Sequence, residues 1–177
     1  MAGIILACIS FTVHAQSDKL SLTINAGGGI SSIRPIYDTD FGFKGELQAR
    51  YQLNQIFSAS IGVGYEQIGV RENITYYDQI WAPMYTYNTR ISFDYIALPF
   101  LLRAEFGKNT KYFVNAGPTI GYLLNRTYHY SEQTDNTLYN AQNDGGYKDL
   151  NATITLGVGA EIPMGEKTAL SFEIRDN

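Results

Sequence analysis

Residues 43–53 read FKGELQARYQL and alternate without a break. Phe43, Gly45, Leu47, Ala49, Tyr51 and Leu53 fall on one side, and Lys44, Glu46, Gln48, Arg50 and Gln52 on the other. Successive side chains of a strand point to opposite faces, so this is a ribbon with one apolar and one strongly polar face. It is about twice the usual strand length, close to the roughly 9–11 tilted residues with which a β-strand crosses a bilayer. Which face meets lipid decides what the protein is.

The same two-residue period recurs along the chain. Leu20–Gly28 sets Leu20, Leu22, Ile24 and Ala26 against Ser21, Thr23 and Asn25. Phe57, Ala59, Ile61, Val63 and Tyr65 oppose Ser58, Ser60, Gly62, Gly64 and Glu66. Tyr112–Asn125 and Leu150–Ile162 repeat the pattern, Phe113 and Leu123 interrupting the polar side of the first. Leu170, Phe172 and Ile174 oppose Ser171, Glu173 and Arg175. The stretch 91–106, ISFDYIALPFLLRAEF, is less regular; with Ile96, Leu98, Phe100, Leu102, Ala104 and Phe106 outward, Tyr95, Ala97, Leu101, Arg103 and Glu105 face inward. Pro99, which cannot donate a ladder bond, marks an expected bulge. No apolar stripe at helical spacing occurs.

Bulk properties agree. The 177 residues suit one domain, and 17 Gly, 14 Tyr and 9 Phe with 17% charged residues is a composition of strands and aromatic girdles. Thirteen basic against 17 acidic residues, a net charge of −4 and no basic run exclude nucleic acid as a partner. Residues 4–13, IILACISFTV, followed by His14-Ala15-Gln16, read as an export signal cut after Ala15, so that 1–15 is a signal peptide and 16–177 the barrel domain. A lipoprotein signal modified at Cys8, the single cysteine, is the alternative. The absence of Lys or Arg ahead of the apolar run departs from the usual signal, and ten apolar residues are too few for a membrane-crossing helix.

The connections run 30–41, 54–55, 72–90, 107–110, 126–147 and 163–167, long and short in turn, as in outer-membrane barrels with short periplasmic turns and long external loops. A membrane barrel turns its apolar side to lipid; a soluble, lipocalin-like ligand-binding barrel would turn it inward. Terminal aromatics on the apolar faces (Tyr51, Tyr65, Tyr112, Tyr122, Phe172) and Gly, Ser and Thr on the polar faces favour the membrane version. The inward set then holds Lys44, Arg50, Arg103 and Arg175 against Glu46, Glu66, Glu105, Glu161 and Glu173, near enough to neutral for a salt-bridged plug rather than an ion pathway. About eight strands leave an interior just wide enough for side chains.

The runs DYIALPFLLRAEFG (94–107), YFVNAGPTIGYLL (112–124), LGVGAEIP (156–163) and LSFEIR (170–175) resemble the PorT-like outer-membrane β-barrel domain of Bacteroidetes. The resemblance covers essentially the whole chain after the expected signal. It implies an all-β, antiparallel up-and-down transmembrane barrel of eight strands in the bacterial outer membrane, mostly without assigned activity, some members serving protein secretion and gliding machinery. Members of that family continue past the position of Arg175 into a final strand, whereas this chain ends at Asp176-Asn177. The expectation is therefore seven visible strands and a missing eighth.

Chemistry is sparsely represented. Beyond the expected signal the only histidine is His129, which with Ser131 and Glu132 supplies the residue types of a lipid hydrolase triad, but neighbours in an extended segment usually diverge. His129 with scattered Asp135, Asp144 and Asp149 has no metal-site spacing, and Gly27-Gly28-Gly29 lacks the lysine and helix of a phosphate loop; no catalytic residue, cofactor or metal is expected. The long connections are rich in aromatics: Tyr76, Tyr77, Trp81, Tyr85, Tyr87, Tyr128 and Tyr130. They would form either an aromatic collar over the barrel mouth or a surface that binds another envelope protein or a glycan.

Overall fold

The computed structural model describes residues 2–14, 19–33, 38–77, 83–131, 138–139, 150–165 and 167–176; side chains are described for 5–13, 19–31, 40–71, 89–127, 150–165 and 167–176. The strands are β1 (Ala2–His14), β2 (Leu20–Ile33), β3 (Asp38–Gln52), β4 (Phe57–Tyr77), β5 (Pro83–Phe106), β6 (Lys111–Ser131), the two-residue β7 (Leu138–Tyr139), β8 (Leu150–Pro163) and β9 (Thr168–Asp176). Every pairing is antiparallel. Each long strand pairs with the next, β6 pairs with β8, and β9 returns to β1, closing an eight-stranded up-and-down barrel; β7 is a short addition to β6.

This corrects the expectation of seven strands with the eighth missing beyond Arg175. The eighth wall strand is Ala2–His14, from the segment assigned to an export signal. It pairs with β2 from Ala2↔Ile33 to His14↔Ser21 and with β9 from Ile5↔Asp176 to Val13↔Thr168. The reason is the local character of the interior. Ile5, Ala7, Ile9, Phe11 and Val13 point outward, Ser10 and Thr12 inward, and the other inward side chains among the described residues of this strand are Leu6 and Cys8, packed against Ile68. A strand that is apolar on both faces reads as a continuous apolar run. With β1 in the wall, the first and last described residues lie near each other at the end that carries connections 34–37 and 78–82.

Outside, the alternation produces an apolar belt. Leu22, Ile24, Leu47, Tyr51, Ile61, Val63, Leu102, Val114, Leu156 and Ile174 are all exposed, whereas Lys44, Glu46, Gln48 and Arg50 are buried. The soluble, ligand-carrying alternative requires the opposite arrangement and is disfavoured. From Ile96 to Phe106 on β5, at ~3.3 Å per residue, is roughly 33 Å of strand, or about 25 Å once tilted by ~40°, the height of an outer-membrane apolar band. Tyr51 and Tyr112 stand near its turn side, Tyr65 and Tyr122 near the other. Tyr65 packs on Phe43 at 5.6 Å, and its hydroxyl donates to Asp94 Oδ1 at 2.7 Å, where Gln67 Nε2 also donates at 2.9 Å. That polar trio on the outer face closes the belt.

The expected inward set on β5 holds, and Pro99 is fully buried among it. The bulge does not lie at Pro99, where the register runs through unchanged from Leu102↔Ala116 to Tyr95↔Leu123; it lies at Asp94/Tyr95, opposite the extra residue Leu124 of β6. Proline at a position that only forgoes one donor need not shift the register. The connection 72–90 is mostly strand: β4 and β5 pair past the belt from Gln67↔Asp94 to Tyr77↔Pro83, so the apparent long loop is a hairpin overhang. The turn at the opposite end, 107–110, requires Gly107, whose φ of 110° is left-handed; a Cβ there would also meet Thr110 O at 2.2 Å.

Candidate functional site

Inside the belt the inward positions assemble one connected polar network. Toward the turns, β3 presents Arg50 between β5 and β8: Nη1 donates to Glu105 Oε1 at 2.9 Å and to Glu161 Oε2 at 3.1 Å. Its Nη2 reaches Thr12 Oγ1 at 3.2 Å and Thr23 Oγ1 at 3.4 Å. Arg103 on β5 donates from Nη1 to Glu161 Oε2 at 3.2 Å while its guanidinium lies 3.7 Å over the Phe113 ring. Its Nε donates to Asn115 Oδ1 at 2.9 Å, and Asn115 Nδ2 donates to Glu173 Oε1 at 2.9 Å, joining this group to the middle of the barrel.

There Arg175 takes Glu173 in a two-pronged pair, Nε to Oε1 and Nη2 to Oε2, both 3.0 Å. Its Nη1 lies 3.2 Å from Glu46 Oε2. Glu46 also accepts from Asn25 Nδ2 at 3.0 Å and pairs with Lys44 Nζ at 2.9 Å; Lys44 Nζ is 3.9 Å from Glu66 Oε2. All nine charged residues expected inside are therefore buried and belong to one network. The spacing explains it: Lys44/Glu46, Arg103/Glu105 and Glu173/Arg175 each sit two residues apart on one strand, and the closed wall brings β3, β5, β8 and β9 face to face. Gly157 gives Glu173 its space, since a Cβ would lie 2.1 Å from Glu173 Oε1.

Several partners were not among the charged candidates. Asn115 and Asn25 are neutral links, Thr12 lies in the segment read as an export signal, and Lys111 Nζ stands 3.6 Å from Glu105 Oε2 at the turn-end mouth. Lys111 shares the inward parity of Phe113 and Asn115, the one signal that could have found it. With Lys111 there are five cations and five carboxylates. At this mouth a polar space of about 10 Å³ lies among Lys19, Ser21, Arg50, Gln52, Glu105, Lys111 and Glu161, room for about one water.

Farther from the turns the lumen changes character. Val70, Ile91 and Phe93 are buried together, with Ile68, Tyr95 and Leu123 against them, and Arg126 lies 5.3 Å over the Phe93 ring. Above this, Asp40 is held by Arg71 (Nη2 to Oδ1, 3.1 Å) and by Arg90, clamping β3 to the base of the hairpin overhang.

The aromatic loop candidates Tyr76, Tyr77, Tyr85, Tyr87, Tyr128 and Tyr130 contribute backbone to β4, β5 and β6, but their side chains lie outside the described residues, as does Trp81 altogether. The side chains of His129, Ser131 and Glu132 also fall there, as do Asp135, Asp144 and Asp149. Among the described residues no group of three or more His, Cys, Asp or Glu is placed to hold a metal ion.

No curated protein matches the chain. Its residues 14–176 match the family model described as outer membrane protein beta-barrel domain, the architecture and apolar belt found here. The chain belongs to that family of outer-membrane barrels.

Proposed function

We propose that this outer-membrane barrel is a non-enzymatic structural or interaction protein, with a lumen plugged by side chains and its hairpins engaging another envelope protein or a glycan. The observation that carries this reading is the network from Arg50 to Glu66: buried charges held by one another occupy the section of the lumen that a solute would have to cross. Separating such pairs to admit an ion costs several kcal/mol per charge. The overhang of β4 and β5, whose sequence holds Tyr76, Tyr77, Tyr85 and Tyr87, favours a contact role beyond the membrane surface. The PorT-like runs 94–107 and 112–124 favour membership of a secretion or envelope assembly.

The purified chain in a planar bilayer tests the plug: no steady conductance is expected, and a persistent open channel would overturn it. Phospholipid hydrolysis by the same preparation would overturn the non-enzymatic reading. Capture from detergent-solubilised envelopes, with the 72–90 hairpin intact and then shortened, tests the contact role; a partner lost on shortening is expected, and an unchanged partner set contradicts it.

A further inference from the structure

The outer surface of the belt is not uniformly filled. A recess of about 740 Å³ crosses the wall from the end of β5 to β1, bounded by Phe106, Tyr112, Ala160, Phe172, Ile9 and Ile174. Its volume lies in the ~300–1,000 Å³ range of sites that enclose a small ligand. Phe106 and Tyr112 form one wall, stacked at 6.0 Å, and Ala160 between Tyr112 and Phe172 leaves the depression. The recess lies within the apolar belt and reaches its turn side, since Phe106 and Tyr112 flank the 107–110 turn.

At that end the apolar belt gives way to exposed cations. The β5–β6 and β8–β9 connections, at the same end of the wall as Phe106 and Tyr112, carry exposed Lys108 and Lys167. Among the described residues the connections at this end carry the exposed cations Lys19, Lys108 and Lys167, while Lys111 belongs to the interior network through Glu105. An apolar recess within a lipid-facing belt, reaching the end that carries two exposed lysines, has the distribution of an acyl chain below its phosphate.

We propose that this recess holds an acyl chain of one anionic phospholipid from the leaflet at the turn end, with its headgroup on Lys108 and Lys167. The inference rests on the belt lying in a bilayer, but goes beyond it in assigning a retained lipid and a headgroup preference. A lysine at an anionic membrane surface is worth about a factor of five in binding.

Native mass spectrometry of the full chain, released from an equimolar mixture of phosphatidylglycerol and phosphatidylcholine with matched chains, is the test. One retained lipid is expected, with phosphatidylglycerol favoured roughly fivefold or more. Lys108→Gln/Lys167→Gln should keep the lipid and lose the preference. Ala160→Trp should lose the lipid whatever its headgroup, and Ala49→Trp, on the distant β3 wall, should retain it. Heat-modifiable migration verifies that each barrel is folded, and Ala160→Leu replaces Ala160→Trp if the larger side chain prevents folding. Equal retention of the two lipids by the unsubstituted chain, an Ala160 variant that keeps its lipid, or a dimer seated on this face would overturn the proposal. Recovery of the chain with vesicles alongside any of these results would leave the membrane assignment standing.

Discussion

Two levels of the same lumen are stabilised in opposite ways. Toward the turns and the middle, Arg50, Arg103 and Arg175 are surrounded by carboxylates and amides, and each group depends on the geometry of its partners. Toward the hairpin overhang, Ile68, Val70, Ile91 and Phe93 fill the space by contact, and Leu6 and Cys8, which pair across strands with Arg175 and Glu173, form the border between the two levels. The strands and their period are the same, so what changes is only the inward residue type. The charged level fails when one partner is removed, the apolar level when volume is removed.

The largest effect is expected from Arg175→Met, which leaves the carboxylates of Glu173 and Glu46 buried without their shared cation. Breaking a buried pair on one side costs about 3–5 kcal/mol, to be read as a lowered denaturant midpoint of the detergent-held barrel. Adding Glu173→Gln should recover part of the loss, because the second uncompensated charge is gone; a double variant as weak as the single would break the comparison. Next in size is Leu6→Ala, at the border where apolar packing meets Arg175, about 2–5 kcal/mol on the same measurement. This substitution also tests β1 in the wall, since an unchanged midpoint would mean that residues 2–14 do not pack there. The smallest is Asp40→Asn at the rim: Asp40 is buried, but its partners Arg71 and Arg90 are 60% and 43% exposed and stay hydrated when the charge is removed, and the isosteric amide still accepts from Arg71, so a loss of about 1 kcal/mol is expected. A larger loss would extend the charged regime to the overhang.

The same contrast explains what the sequence made legible. Where the lumen is polar the alternation is plain: FKGELQARYQL, the β8 pattern and the last strand put six charges, Lys44, Glu46, Arg50, Glu161, Glu173 and Arg175, on the side that is buried. Where the lumen is apolar the alternation disappears. Residues 4–13 then resemble a signal, and Ser92 with Ile91 and Phe93 forms a buried run that no period explains. Asn115 was legible as inward but not as the link between two ion-pair groups, because an amide carries no charge signal and its partners, Arg103 and Glu173, are far apart in sequence. The hairpin overhang was hidden by composition, since Asn73, Asn88 and the tyrosines around them also suit a loop.

The central claim is the direction of the two faces on β3, and a nitroxide scan of 43–53 in lipid nanodiscs, with Cys8 replaced by Ser, measures it. Oxygen accessibility should peak at 43, 45, 47, 49, 51 and 53, with lipid at those positions, and fall at 44, 46, 48 and 50 inside the ion-paired lumen. The opposite phase, with 44, 46, 48 and 50 open to a water-soluble relaxation agent and 47 and 51 shielded, would contradict it and describe a soluble ligand-carrying barrel.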